Sequence, residues 1–148
     1  MSRFARWVLG AMVRSHPGQS AVEVAAVFTI LVPVIVGAVD LGRAYFGHDL
    51  LVHAVSEGAR RGSFDTNITN IKTTVQNAAV SLNLQAGDVA VACYSGSTAT
   101  AKTCSSVTVG DSVRVTATSV FTPFTPVITA ILPGGTLTLT ATSQRTYQ

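Results

Sequence analysis

The chain has 148 residues, 47% of them hydrophobic and only 11% charged. That length allows one small domain plus an anchor and excludes two sizeable cores. The formal net charge of +3 sits in Arg3, Arg6 and Arg14, since the later basic residues equal the acidic ones in number, so no basic surface is left for nucleic acid.

Residues 1–18, MSRFARWVLGAMVRSHPG, read as a short basic leader. A secretory signal peptide would place a strong apolar core before its cleavage site. Here the weakly apolar stretch 7–13 is interrupted by Arg14, Ser15, His16 and Pro17, and Pro17-Gly18 is expected to break any helix. The strong apolar run comes afterwards. Between Glu23 and Asp40 lie 16 uncharged residues, VAAVFTILVPVIVGAV. As helix they cover about 24 Å, against a hydrocarbon core of about 30 Å. Adding residues 19–22 or residues 41–46 completes a span and leaves one charge inside or at the edge of the apolar layer. A buried helix of a soluble protein is the alternative, but the segment has little amphipathic character. Pro33 removes a backbone donor mid-span and is expected to kink or loosen the helix, which membrane helices tolerate.

Helical periodicity continues past the span. Tyr45, Phe46, Leu50, Ala54, Val55, Gly58 and Ala59 can form one apolar stripe. Asp49–His53, His53–Glu57 and Glu57–Arg61 stand at i,i+4 on the other side. One helix over about residues 20–61 is therefore expected, ended by Gly62 and Ser63.

The remainder predicts a compact extracytoplasmic α+β domain over residues 63–148. Ile68, Ile71, Val75, Ala78, Ala79 and Leu82 recur at helical spacing and predict a second amphipathic helix over 66–82. Residues 88–94 alternate as a strand, 95–102 read as a polar loop, and 104–109 begin a partner strand. Gly110-Asp111 marks a turn before a strand at 112–122. A proline-bounded connection follows at 123–132, with a helical turn at 127–131, and Pro133-Gly134-Gly135 turns the chain into a last strand at 136–146. The expected fold is thus a long N-terminal transmembrane helix over 19–62, then one helix and an antiparallel sheet of about four strands.

Cys93 and Cys104 stand eleven apart with no Cys-x-x-Cys or His cluster nearby, which speaks against a metal site. In an exported domain they predict one disulfide, and two unpaired buried thiols are the alternative. Catalysis finds no support. His48 and His53 do not share a helical face, and Asp49–His53 reads as a solvated pair. The sequence has no glycine-rich phosphate loop, no Cys/His pair beside a nucleophile and no clustered carboxylates. Neither a cofactor nor a small-molecule substrate is expected.

The informative junction is Gly18-Gln19-Ser20-Ala21-Val22-Glu23. A basic leader ends in glycine, and a glutamate stands fifth after it at the entrance to an apolar helix. This resembles the type IV prepilin signal, in which a membrane-embedded prepilin peptidase cuts after the glycine. That resemblance implies cleavage between Gly18 and Gln19, and pairing of Glu23 with the new amino terminus of a neighbouring subunit. A carboxylate in a bilayer is costly alone and tolerable beside an ammonium group. An interfacial charge that snorkels to the headgroups is the other reading of Glu23, and a plain helix breaker that of Gly18.

The longer stretch GQSAVEVAAVFTILVPVIVGAVDLGRAYFGHDLLVHAVSEGARRG is similar to the TadE-like family of minor pilins from tight-adherence (Flp-type) pili. Glu23, Pro33, Asp40-Leu41-Gly42-Arg43 and Ala54-x-x-x-Gly58-Ala59-Arg60 carry the likeness, with Val24 standing where an aromatic is more usual. The resemblance implies a pilin-like structural protein, not an enzyme. Its partners would be the prepilin peptidase, other pilin subunits and the assembly machinery. It would start in the inner membrane with its N-terminus inside, and end in an extracellular pilus. An unprocessed single-pass protein with a partner-binding outer domain is the alternative. Asp40 and Arg43 are expected to pair at the outer membrane boundary, and Gly58 and Ala59 to mark close helix packing.

Overall fold

The computed structural model of the protein describes residues 17–96 and 100–148. The basic leader up to residue 16 and the middle of the polar loop at 97–99 lie outside the described residues.

Helix α1 is Pro17–Gly62. Pro17 and Gly18 therefore stand in its first turn, three residues ahead of the expected start, and the leader that they were expected to separate from it lies outside the described residues. Proline suits a first helical turn, where its missing N–H is not needed. The helix also continues without interruption through Pro33. Arg60 and Arg61 occupy its last turn, where cations favour the carbonyl end. The chain divides into two compact units, one up to Gly37 and the other Ala38–Gln148.

In the second unit, α1 is followed by α2 (Ile68–Ala78), a 3-10 turn (Val80–Leu82), β1 (Val89–Tyr94), β2 (Ala101–Lys102), β3 (Ser112–Phe121), α3 (Pro126–Ile131) and β4 (Leu137–Thr146). The sheet order is β2-β1-β3-β4, and every neighbouring pair is antiparallel. Helix α2 begins later than expected because Asn67 caps it, its side chain accepting from the Thr69 N–H at 3.0 Å. Asn83, in the left-handed region at φ 48°, closes the 3-10 turn that ends the segment.

The partner of β1 is displaced from its expected position. It is Ala101–Lys102, inside the predicted polar loop, whereas Cys104–Ser106 forms a 3-10 turn. Cys93 already faces Lys102 across the ladder. The chain must curl after Lys102 to bring Cys104 to the same cysteine.

The core lies between α1, α2 and one sheet face, with Leu51, Val55, Ile71, Val75, Val89, Val113 and Val115 fully buried. The α1 stripe differs from the expected one. Ala44, Gly47, Leu51, Ala54, Val55, Gly58, Ala59 and Gly62 are buried, while Tyr45 and Phe46 are exposed. The seam follows small residues because the packing is close. A Cβ on Gly58 would overlap the Val75 side chain, and one on Gly62 would stand 2.8 Å from Val113 Cγ1. The expected Glu57–Arg61 pair also gives way: Glu57 accepts from Arg60, and Arg61 donates to Asp65 at 2.9 Å. The Gln148 N–H donates to the Ser63 carbonyl at 3.0 Å, tying the chain end to the exit of α1.

Candidate functional site

The first unit carries Gly18, Glu23 and Pro33 on one helix. Its large apolar side chains from Val22 to Val36 are exposed. Among the described residues, α1 is the one helix long and apolar enough to cross a membrane. A helix apolar all round is stable only where its surroundings are apolar, and this segment is not packed in a protein core. It has the character of a membrane anchor. Pro33 has no N–H to give the Thr29 carbonyl, and the Thr29 hydroxyl donates to the Ala25 carbonyl at 2.8 Å.

Asp40 opens the more elaborate site. Its side chain is 3% exposed, and it accepts four hydrogen bonds. The Phe124 N–H donates at 3.1 Å, the Thr125 N–H at 2.8 Å, the Thr125 hydroxyl at 2.6 Å and Arg43 Nη1 at 3.2 Å. Together they hold the carboxyl at about 2, below its ordinary 3.8. The Thr125 hydroxyl contributes most, burial opposes it, and Arg43 contributes least. Asp40 and Arg43 thus lie within ion-pair distance, but Asp40 is chiefly the acceptor for the loop between β3 and α3. Thr125 is the N-cap of α3 and makes no side-chain bond to its own helix; its hydroxyl is committed to Asp40. The Arg43 guanidinium lies 4.0 Å from the Phe124 ring centroid and 5.2 Å from that of Phe121, a cation–π arrangement.

At the other end of β3, Cys93 and Cys104 form a disulfide, with Cα atoms 5.2 Å apart. Asp111 organises the adjoining loops. It accepts from Lys102 Nζ at 2.5 Å, from the Thr108 N–H at 2.8 Å and from the Gly96 N–H at 3.1 Å. Lys102 first, then these backbone donors, push its carboxyl well below the usual range. Neither carboxylate hub is apparent from spacing. A Thr-Pro pair at 125–126 signals a helix start, but nothing local points to an acceptor 85 positions away.

Gly58 and Ala59 are buried against the core, with Gly58 facing Val75 of α2. His53 Nε2 stands 4.0 Å from Asp49 Oδ2, with both side chains exposed. Among the described residues, no three His, Cys, Asp or Glu side chains gather where they could hold a metal ion.

The family model described as TadE-like protein matches residues 18–60. The matched segment takes in Gly18, Glu23, Pro33, Asp40, Arg43, Gly58 and Ala59, and it lies within the stretch on which the sequence resemblance rests. No curated protein and no solved structure matches the chain.

Proposed function

We propose that this chain, TadE-like over residues 18–60, is a minor pilin of a tight-adherence pilus, released from its leader by a prepilin peptidase that cuts after Gly18. One coincidence carries the reading. The Gly18-x4-Glu23 junction stands at the head of an exposed apolar helix, within the matched segment. The mature chain begins at Gln19, and Glu23 pairs with the Gln19 amine of a neighbouring subunit during assembly. The anchor runs N-terminus inside, because Arg3, Arg6 and Arg14 precede it while Arg43 is the only basic residue soon after it. The disulfide suits an oxidising compartment for the domain. The subunit waits in the inner membrane and then joins the extracellular pilus.

A specific observation favours a second reading, an unprocessed single-pass protein with a partner-binding outer domain. Pro17, Gly18 and Gln19 are helical, whereas a peptidase site calls for extended backbone. Intact-mass measurement on membrane and pilus fractions decides between them. A chain beginning at Gln19 supports processing, and an assembled chain that keeps Met1 or Ser2 overturns it. Protease added to spheroplasts should degrade the domain, and protection would reverse the topology.

A further inference from the structure

The residues just past the anchor are not those of an ordinary wetted surface. Leu41 is 72% exposed and Tyr45 is 74% exposed, four positions apart on one helical face. The loop and helix after β3 add Phe124 at 71% and Ile131 at 76%. Hydrogen bonds and a ring contact hold that segment beside this turn of α1, and a cavity lies between them. The Phe124 and Thr125 N–H groups donate to Asp40. Arg43 lies over the Phe124 ring. Leu41 shares with Ile128 and Leu132 an apolar cavity of about 130 Å³.

The chain itself sets the level of this cluster relative to the bilayer. Asp40 directly follows Val39, the last residue of the apolar run, and its carboxylate is committed to the 124–125 backbone. The span is therefore completed on its N-terminal side, over residues 19–39, about 31 Å of helix. Residues 41–45 then stand about 3–9 Å beyond the hydrocarbon edge. That is the depth of a headgroup layer about 5–8 Å thick.

We propose that Leu41 and Tyr45 of α1, with Phe124 and Ile131, form a lipid-contacting foot that seats the domain on the headgroup layer where the anchor emerges. The proposal rests on the membrane-anchored reading. Aromatic and aliphatic side chains at this depth gain apolar surroundings without leaving the interface. Arg43 has guanidinium donors beyond the one it gives Asp40, and a lipid phosphate accepts such donors. Asp40, being buried, presents no carboxylate to repel that phosphate. The cavity beside Leu41 can admit the end of an acyl chain.

The test uses the full chain with Trp7→Phe in vesicles of brominated phosphatidylcholine, reading tryptophan fluorescence at Phe124→Trp, Ile131→Trp, Ile30→Trp and Val109→Trp. Val109 lies beyond the far end of β3, a strand about 30 Å long, and serves as the wetted reference. Bromines near the headgroup should quench Phe124→Trp and Ile131→Trp. Bromines near the chain ends should quench Ile30→Trp, and Val109→Trp should keep its signal. If Phe124→Trp and Ile131→Trp match the reference while Ile30→Trp is quenched, the foot is overturned and the anchor survives. If Ile30→Trp also escapes quenching, the anchor itself fails. Emission that shifts with the chain-to-lipid ratio and ignores bromine assigns the face to a second subunit and likewise overturns the foot.

Discussion

The Thr125 hydroxyl donates to Asp40 Oδ2 at 2.6 Å across 85 positions of sequence. This bond, with the two backbone donors beside it, fastens the β3–α3 connection to α1 immediately after the anchor. Asp40→Ala leaves two N–H groups and a hydroxyl without their acceptor in a buried setting, a loss larger than that of the bonds alone. We expect a clearly lower unfolding midpoint for Asp40→Ala in the detergent-solubilised full chain. Thr125→Val should lower it less, because the backbone donors still have their carboxylate. The double variant should cost less than the two single losses combined, since both act on one network. Strict additivity in calorimetry would show that the two residues do not act together.

Both carboxylate hubs make stability depend on acid. The Asp40 carboxyl is depressed from 3.8 to about 2 in the folded chain, and that of Asp111 is depressed in the same direction. A depressed carboxyl stabilises the fold above its unfolded pKa, and the contribution is lost as pH falls through the folded value. The unfolding midpoint should therefore be level near neutrality and decline from about pH 4 toward about pH 2. Asp40→Asn and Asp111→Asn should each start from a lower midpoint and show a shallower decline. A decline of unchanged steepness in both variants would place the acid sensitivity in other groups.

The anchor, the second helix and the long strands are legible in the sequence because each has a simple period. Val113, Val115 and Ala117 alternate into the core, and so do Leu139 and Ala141. The α1 seam is harder to read, because Tyr45 and Phe46 are more hydrophobic than Ala44 and Gly47. Close packing selects size ahead of hydrophobicity, and the aromatics point away from the core. β2 is hidden because it is two residues long and its place depends on where Cys104 must arrive. The Asp40 site is half legible. Its neighbour Arg43 is local, but Phe124 and Thr125 come together with it only through the fold.

The disulfide closes a short loop, so its removal should be felt but not fatal. Chain-entropy reasoning gives about 2–3 kcal/mol for a loop of this size. The Lys102–Asp111 contact and the Asp111 backbone bonds hold the same region independently. Cys93→Ser/Cys104→Ser should fold with an unfolding free energy lower by about 2–3 kcal/mol, read by denaturant titration. Non-reducing mass analysis of the natural chain should find the two cysteines lighter by two hydrogens, and free thiols would contradict the pairing.

Gly58 tests whether the seam depends on size. Alanine there gains up to about 1 kcal/mol in helix propensity, but its methyl group overlaps the Val75 side chain. Overpacking of this kind costs about 1–3 kcal/mol, so Gly58→Ala should be neutral to destabilising by about 2 kcal/mol. A Cβ added at Gly42 would meet nothing within 4 Å, and Gly42→Ala should be stabilising by up to about 1 kcal/mol. Adding Val75→Ala to Gly58→Ala should cost less than Val75→Ala alone does in the natural chain, because the cavity receives the new methyl. Equal costs in both backgrounds would show that the two positions do not share space.

Glu23 allows the sharpest distinction, because two mechanisms give opposite outcomes for one substitution. If Glu23 only marks the membrane edge, Glu23→Leu should insert at least as well and leave pili intact. If it pairs with the Gln19 amine of a neighbouring subunit, the change leaves an ammonium group without its partner in a low dielectric. Breaking such a buried pair costs about 3–5 kcal/mol, enough to abolish a weak subunit contact. Leader removal should continue, because the scissile bond lies five residues upstream. The Leu variant should therefore be stable, cut after Gly18 and membrane-bound, yet missing from purified pili or unable to support their assembly. Immunoblots of sheared pili beside membrane fractions read both properties in one experiment. Natural levels of Glu23→Leu in the pili would reduce Glu23 to a boundary charge and leave the anchor standing, while retention of the leader would instead make Glu23 part of what the peptidase recognises.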